Sequence, residues 1–222
     1  VILGLKLFVA GNMVGEYGLG LLQVAREIAD QIKLPIMVHI GFAPPSIPEI
    51  LSLLVEGDIV THSFNGHENR VVDDKGKVRA DVLEARERGV LLDIGHGSGS
   101  FSFETARAML AQGQPPDIIS TDLYSSNVDG PVYDLPTTLS KFLALGMSLE
   151  DVIIRATEKP AAIIGKGDGL GSLEVGETGD VSILELLDGE FELTDCHRET
   201  LVGEQRLVSA GTIRAGRLME VE

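Results

Sequence analysis

Basic residues and cysteine are scarce in this 222-residue sequence. Its 18 Lys and Arg residues stand against 34 Asp and Glu residues, which gives a formal net charge of -16. Such a surface repels phosphate backbones and anionic lipids, so we expect neither nucleic acid nor membranes as partners. The single cysteine, Cys196, excludes an intramolecular disulfide and indicates a reducing, cytoplasmic location.

Several sequence patterns are also absent. There is no secretory leader pattern, no apolar run of membrane-spanning length and no glycine fingerprint of a dinucleotide site. The serine clusters at 98–100 and 125–126 lack the spacing of a nucleophile elbow, which argues against a serine hydrolase. The sequence starts with Val1 inside an apolar run, and we interpret this start as a cut through a longer protein.

The first 166 residues alternate between short apolar runs and helical patterns. We predict strands at 1–10, 35–39, 58–62, 89–94 and 117–122, a glycine-rich loop at 11–20, and helices at 21–33, 48–56 (capped by Ser46), 80–88, 103–111, 137–145 and 149–157, with Pro160 ending the last. Five such β/α units predict a parallel sheet covered on both faces. The pattern alone leaves a barrel and an open doubly wound sheet both possible.

The character of the sequence changes at Gly167. Predicted strands at 181–187, 190–193 and 206–213 alternate with turns at Asp188-Gly189 and Ala215-Gly216, which is typical of a small β region. We therefore divide the chain into an α/β domain at 1–166 and a small β domain at 167–222.

Four of the predicted strands end in, or run directly into, a metal-capable side chain: His39, His62, His96 and Asp122. The first strand carries Lys6. In barrel enzymes the chemistry lies at the carboxyl ends of the strands, and His and Asp are the usual nitrogen and oxygen ligands of zinc-type sites. Such residues therefore predict a metal site at this edge of the sheet.

Each of these residues also has a structural interpretation. His39 and His62 could be satisfied by backbone carbonyls, and Asp122 could cap the loop that follows it. Lys6 could extend its ammonium to the rim, and His96 could cap a glycine-rich loop or face substrate. Two further histidines, His67 and His197, lie in polar loops and are expected to be solvated.

The ordered set of motifs resembles the amidohydrolase superfamily, most closely its deacetylase and dihydroorotase-like members. The segments at 4–6, 38–41, 61–66 and 120–123 resemble its strands four, five, six and eight, and 93–97 resembles strand seven. The segment at 156–161 is similar to the helix before the tail, and the segment at 171–181 to the return into the small β-sandwich.

This resemblance implies a (βα)8 TIM barrel, of which five C-terminal β/α units are present, with a small β-sandwich. It implies two divalent metals, expected as Zn²⁺. Lys6 matches the lysine whose ε-amine carries a carbamate that bridges the metals, and His39 and His62 match the ligands of one metal. Asp122 matches the ligand of the other metal and the acid/base residue. Substrate contacts are expected from Asn65, His96 and Tyr124.

The function implied is metal-dependent hydrolysis of an amide bond in a small N-acyl compound, or of the corresponding ester. A cyclic amidase of the dihydroorotase kind, or a deaminase, is the alternative within the family. The sequence contains no His-x-His pair, which the family uses for its second metal. A C-terminal fragment lacking strands one to three, either a non-catalytic remnant or a subunit completed by another polypeptide, is therefore a second hypothesis. A metal-free small-molecule binding module with an open sheet is a third. The expected partners are a further copy of the chain or a missing N-terminal segment.

Overall fold

A computed structural model describes residues 2–167 and 169–219. It contains a parallel sheet of four strands in the order β1 (Leu5–Phe8), β2 (Ile36–His39), β3 (Ile59–Thr61) and β4 (Leu91–Leu92). The outer ends of the two predicted domains, Val1 and residues 220–222, lie outside the described residues, as does Asp168. Sequential strands are neighbours throughout, as successive β/α units require.

The helices follow the strands in the predicted alternation. They are α1 (Gly11–Val14), α2 (Gly20–Ile32), α3 (Ile47–Ser52), α4 (Ala80–Glu87), α5 (Phe103–Ala111), α6 (Leu135–Ala144), α7 (Leu149–Ile154) and α8 (Glu158–Ile163). The predicted loop at 11–20 is wrong over its first part, where α1 and a 3-10 turn at Gly15–Tyr17 form. The chain turns there because the amides of Met13 and Val14 both donate to the carbonyl of Ala10.

Helix α3 begins with the predicted Ser46 cap. The Ser46 amide donates to the Glu49 carboxylate (2.9 Å), which forms a capping box. The helix ends at Ser52 instead of 56, because the next segment turns toward the buried carboxylate of Asp58. That carboxylate accepts from the amides of Val55 (2.9 Å) and Ile36 (2.8 Å), and so fixes the start of β2.

The predicted strand at 117–122 is wrong as a regular strand. A single parallel bridge joins Asp93 to Ile118. Beyond it the amides of His96 and Gly97 still donate to the carbonyls of Ser120 (3.2 Å) and Thr121 (2.9 Å). The segment therefore lies beside the sheet, but Asp122 has a φ of 48°, which interrupts any extended continuation.

The small β region is one antiparallel sheet of β5 (Val181–Thr194), β6 (Thr200–Arg214) and β7 (Arg217–Met219). The turn at Ala215-Gly216 is confirmed. The predicted turn at Asp188-Gly189 is wrong, because β5 continues through it with an irregular register. The chain instead reverses at 195–199, and this tip docks on the α/β part: the Phe103 amide donates to the Asp195 carboxylate (2.9 Å).

Apolar side chains between the sheet and helices α2 to α7 form the core, joined by residues of the β hairpin. Its largest members are the fully buried Phe64, Phe101, Phe103 and Phe142. Over the described ranges, none of the helices has the length and apolar character needed to cross a membrane.

Candidate active site

His39 and His62 meet at the carboxyl ends of two neighbouring parallel strands. His39 is the last residue of β2 and pairs with Thr61, the last residue of β3, so that His62 follows directly. Their ring centroids lie 4.3 Å apart in an edge-to-face arrangement. The predicted meeting of these two imidazoles at one edge of the sheet is thus present in the structure.

The His62 ring is fixed by one hydrogen bond. His62 is 4% exposed, and its Nδ1 lies 2.5 Å from the carbonyl oxygen of Gly95. A carbonyl can only accept, so Nδ1 carries the proton and Nε2 keeps a free lone pair. Metal-bound histidines are oriented in the same way, with the second ring nitrogen donating to a carbonyl or carboxylate.

Both imidazoles are held in the neutral form. Burial, together with the neighbouring His62, Lys6 and His67, lowers the pKa of His39 to about 4. Burial also lowers the pKa of His62. The neutral ring is the form that binds a metal.

His39 has an unmet polar atom. Its Nδ1 is buried and has no hydrogen-bond partner in the described part of the chain. A buried polar atom without a partner costs free energy, so it is normally matched by some group. The unpaired Nδ1 of His39 and the free Nε2 of His62 fit a divalent metal held between two imidazoles.

Lys6 occupies the middle of β1, two residues before Phe8, which pairs with His39. Contrary to the expectation from its apolar neighbours, the Lys6 side chain is exposed, and its Nζ lies 6.0 Å from the centroid of the Phe8 ring. Partial desolvation nevertheless lowers the pKa of its ammonium, against the opposing charges of Asp93 and Asp122. A lowered pKa increases the fraction of neutral, nucleophilic amine.

Asp122 is exposed and is held from both sides. Its main-chain carbonyl accepts from the Asn127 side chain (3.0 Å), whose oxygen accepts in turn from the Tyr124 amide (2.8 Å). Its carboxylate faces Gly97, where a Cβ would lie 3.0 Å from Oδ2. Gly97 also has a φ of 54°, so a larger residue there would both strain the backbone and displace the carboxylate.

Asp93 lies in the segment paired with the one that carries His62, and it was not predicted as a site residue. It is 2% exposed and accepts from the hydroxyls of Thr61 (2.5 Å) and Ser120 (2.7 Å). Burial raises its pKa, against the effect of these two hydrogen bonds. It thereby joins β3 to the segment that carries Asp122. The signal in the sequence was a carboxylate inside an otherwise apolar run, 90–94.

The three predicted substrate contacts differ in what they offer. Asn65 is fully buried. Its side-chain NH₂ group donates to the His62 carbonyl (2.9 Å), and its side-chain oxygen accepts from the His67 main-chain amide (2.8 Å). His96 is also fully buried, with both ring nitrogens engaged. Tyr124 is 48% exposed and its hydroxyl lies 2.7 Å from that of Ser98. Only Tyr124 therefore presents a solvent-accessible polar group.

His67 departs from the prediction of a solvated side chain. It is half-buried, with its ring centroid 4.4 Å from that of Phe42 and 6.1 Å from that of His197. Burial and the neighbouring His197 lower the pKa of His67. His197 itself is exposed, as predicted.

The described residues do not by themselves form a closed metal cage. Within 2–167 and 169–219, no group of three or more His, Cys, Asp or Glu side chains could hold a metal ion. The His39–His62 pair supplies two nitrogens, and Lys6 and Asp122 flank it. The donor chemistry fits an open, incomplete site.

Comparison with known proteins gives relatives but no matching family model. The chain is 36% identical over 222 residues to a deacetylase of Enterococcus faecalis, covering 99% of this chain and 60% of that protein. It is 39% identical over 199 residues to a deacetylase of Agrobacterium fabrum, covering 87% of this chain and 47% of that protein. The chain thus spans about half to three-fifths of the length of these curated relatives.

Two solved structures are similar in both sequence and fold. One, an adenine deaminase, superposes with a TM-score of 0.95 at 36% identity over 99% of this chain and 60% of that one. The other, a dihydroorotase, has a TM-score of 0.89 at 34% identity over 100% of this chain and 57% of that one. These similarities confirm the predicted α/β fold of the TIM-barrel type.

Proposed function

The chain belongs to the amidohydrolase superfamily, and from this premise we propose that the natural protein containing it hydrolyses the amide bond of a small N-acyl compound. The observation that carries the proposal is the neutral imidazole pair, His39 and His62, at the carboxyl ends of parallel strands and flanked by Lys6 and Asp122. The deacetylase names of the curated relatives support the N-acyl class. An ester of similar shape is the corresponding oxygen substrate.

Members of this superfamily generally use divalent metals, which we expect to be Zn²⁺ here. His39 and His62 would hold one metal, Asp122 the other, and Lys6 both. Such metals supply a water of lowered pKa and polarise the scissile carbonyl. Lys6 would take part as a carbamate: its neutral amine forms a bond to the carbon of CO₂ and releases one proton, which replaces a cation by an anionic ligand.

Asp122 is the group that moves protons in this proposal. Its exposed carboxylate can accept a proton from the attacking water as that water adds to the amide carbon. It can then return the proton to the leaving nitrogen as the C–N bond breaks. The products are a carboxylate and an amine. Tyr124 and Ser98, whose hydroxyls lie 2.7 Å apart, would contact the substrate in this proposal.

The experiment measures the turnover of acyclic N-acyl compounds, cyclic amides and purines by the wild type and by a matched pair of variants. Asp122→Asn should lower kcat by on the order of 10²- to 10⁴-fold, because it removes the proton acceptor. Asp129→Asn removes an exposed carboxylate seven residues further on and should leave kcat unchanged. Removal of metal by a chelator should abolish turnover, and Zn²⁺ should restore it. Undiminished turnover by Asp122→Asn would exclude this mechanism.

The same panel separates the alternative reactions. The dihydroorotase and adenine deaminase structures are the observations that favour a cyclic amide or an aminopurine as substrate. Turnover of cyclic amides or purines, with none of acyclic N-acyl compounds, would replace the deacetylase proposal by one of these. Intact mass in bicarbonate, compared between the wild type and Lys6→Ala, tests the carbamate without any need for activity.

A further inference from the structure

Lys141, in the middle of α6, is a fully buried lysine. In the part of the chain that the structure describes, it forms no ion pair with a carboxylate. Its Nζ instead lies 2.7 Å from Nε2 of His96 and 2.6 Å from the carbonyl oxygen of Pro131. Burying an ammonium is costly, so one held only by neutral acceptors needs an explanation.

The hydrogen bonds define which atom donates. His96 Nδ1 lies 3.0 Å from the Gly97 carbonyl, so Nδ1 carries the proton and Nε2 is the acceptor. Burial, together with the nearby Lys141 charge, lowers the pKa of His96 to about 3. The imidazole is therefore neutral and accepts a hydrogen bond from the Lys141 ammonium. Phe101 stacks on the same ring, with centroids 4.7 Å apart.

The contact with His96 connects Lys141 to the residues around the Asp122 carboxylate. His96 is followed by Gly97, the residue that faces Asp122 Oδ2. The amides of His96 and Gly97 also donate to the carbonyls of Ser120 and Thr121, the two residues before Asp122. Fixing the His96 ring therefore fixes the wall against which the carboxylate rests.

The contact with the Pro131 carbonyl connects Lys141 to the loop that holds the main chain of Asp122. Pro131 belongs to the loop in which the amides of Gly130 and Tyr133 both donate to the Asn127 carbonyl (3.2 Å each). The Asn127 side chain donates to the main-chain carbonyl of Asp122 (3.0 Å). Lys141 thus joins, through one ammonium, the two loops that hold Asp122 in its left-handed backbone conformation.

We propose that Lys141 is a positioning residue for Asp122, because its ammonium ties the His96 loop to the Pro131 loop. The proposal rests on the acid/base role of Asp122 put forward above. Lys141 itself is fully buried and does not reach the surface. Its effect is exerted through the placement of the Asp122 carboxylate.

The experiment replaces Lys141 by Met, which keeps the length and the apolar stem but removes the two hydrogen bonds that Nζ donates to His96 and Pro131. We expect kcat to fall by about 10- to 100-fold with little change in KM, because a catalytic group displaced by about 1 Å loses rate more than binding. Lys75→Met removes an exposed lysine and is the matched control. If Lys141→Met does not fold, Lys141→Gln, which keeps an amide donor, should fold and show a smaller fall.

A second readout does not depend on activity. In a crystal structure of the folded variant, we expect Asp122 to leave its positive φ or its carboxylate to move away from Gly97. An unchanged Asp122 would overturn the proposal, as would a folded Lys141→Met with the kcat of the Lys75→Met control. If the wild-type protein hydrolyses no amide at all, the proposed function fails, and the crystallographic comparison alone decides whether Lys141 places Asp122.

Discussion

The two edges of the parallel sheet, here called the β1–α2 side and the β3–β4 side, differ in which side chains are buried. On the β1–α2 side, apolar side chains are exposed: Phe8 at 52%, Leu21 at 42%, Val24 at 54% and Ile28 at 44%. On the β3–β4 side, the phenylalanines are fully buried and even charged residues such as Asp93 and Lys141 are enclosed. The same sheet therefore has one completed side and one side that still presents apolar surface.

This difference divides the candidate site as well. His62 and Asp93, on the enclosed side, have their hydrogen-bonding atoms fixed by neighbouring residues. His39 Nδ1 has no partner among the described residues, and Lys6 is exposed on the edge strand. One half of the site is thus held in place before any ligand binds. The other half depends on further contacts, and large exposed apolar patches commonly mark where such contacts form.

The largest stability effect is expected on the enclosed side. Asp93→Ala removes the acceptor for two buried hydroxyls, those of Thr61 and Ser120. The free energy of unfolding should fall by about 2–4 kcal/mol, because the two buried hydroxyls would remain desolvated without a hydrogen bond to compensate for the lost contact with water. Equilibrium urea unfolding measures this change.

Two variants make that measurement specific. Asp129→Ala removes an exposed carboxylate and should change the unfolding free energy by less than about 0.5 kcal/mol. Asp93→Asn keeps one acceptor oxygen and should lie between Asp93→Ala and the wild type. If Asp93→Ala and Asp129→Ala cost the same, the enclosed side does not depend on this carboxylate network.

A second effect on the enclosed side is a dependence of stability on pH. Burial lowers the pKa of Lys141 to about 8, although Cys196, Asp195 and Asp134 oppose the shift and His96 lies against the ammonium. The folded protein therefore releases this proton before the unfolded chain does. Between pH 8 and about 10.5 the unfolded chain binds more protons, so raising the pH stabilises the fold, by at most about 1.4 kcal/mol per pH unit.

The measurement is the difference in unfolding free energy between the wild type and Lys141→Met as a function of pH. Groups that titrate equally in both proteins cancel in this difference. The wild type should gain relative to the variant as the pH rises from 8 to 10, and the difference should be flat below pH 7. A flat difference over the whole range would show that Lys141 titrates normally.

The sequence pattern correctly predicted that the two strand-end histidines meet, but it wrongly predicted a regular fifth strand. Parallel strands place their carboxyl ends at one edge, and this alone brings His39 and His62 together. The segment at 117–122 was predicted as a strand from its apolar residues. Its pairing depends instead on the positive φ of Asp122 and on carbonyls that accept from the His96 loop, neither of which an apolar pattern encodes.

Lys141 was missed for a related reason. Within the helical pattern of α6 a single lysine indicates a solvated position, and nothing nearby in the sequence marks it as buried. Its partner His96 lies 45 residues away, and the burial comes from the packing of α6 against Phe101 and the β hairpin. The pattern of one helix therefore does not show burial that distant parts of the chain create.

The smallest effect is expected on the open side, and helix α2 offers adjacent residues for the test. Leu21 is 42% exposed, whereas Leu22 is fully buried. Leu21→Gln should change the free energy of unfolding of the 222-residue chain by less than about 0.5 kcal/mol, as surface substitutions usually do. It should at the same time reduce self-association and the binding of a hydrophobic dye, because it interrupts the exposed apolar surface. Leu22→Gln should instead cost several-fold more stability, since it buries an amide in the core. Equal costs for the two variants, or dye binding unchanged by Leu21→Gln, would mean that the β1–α2 side is covered in solution, and the contrast between the two sides of the sheet would then disappear.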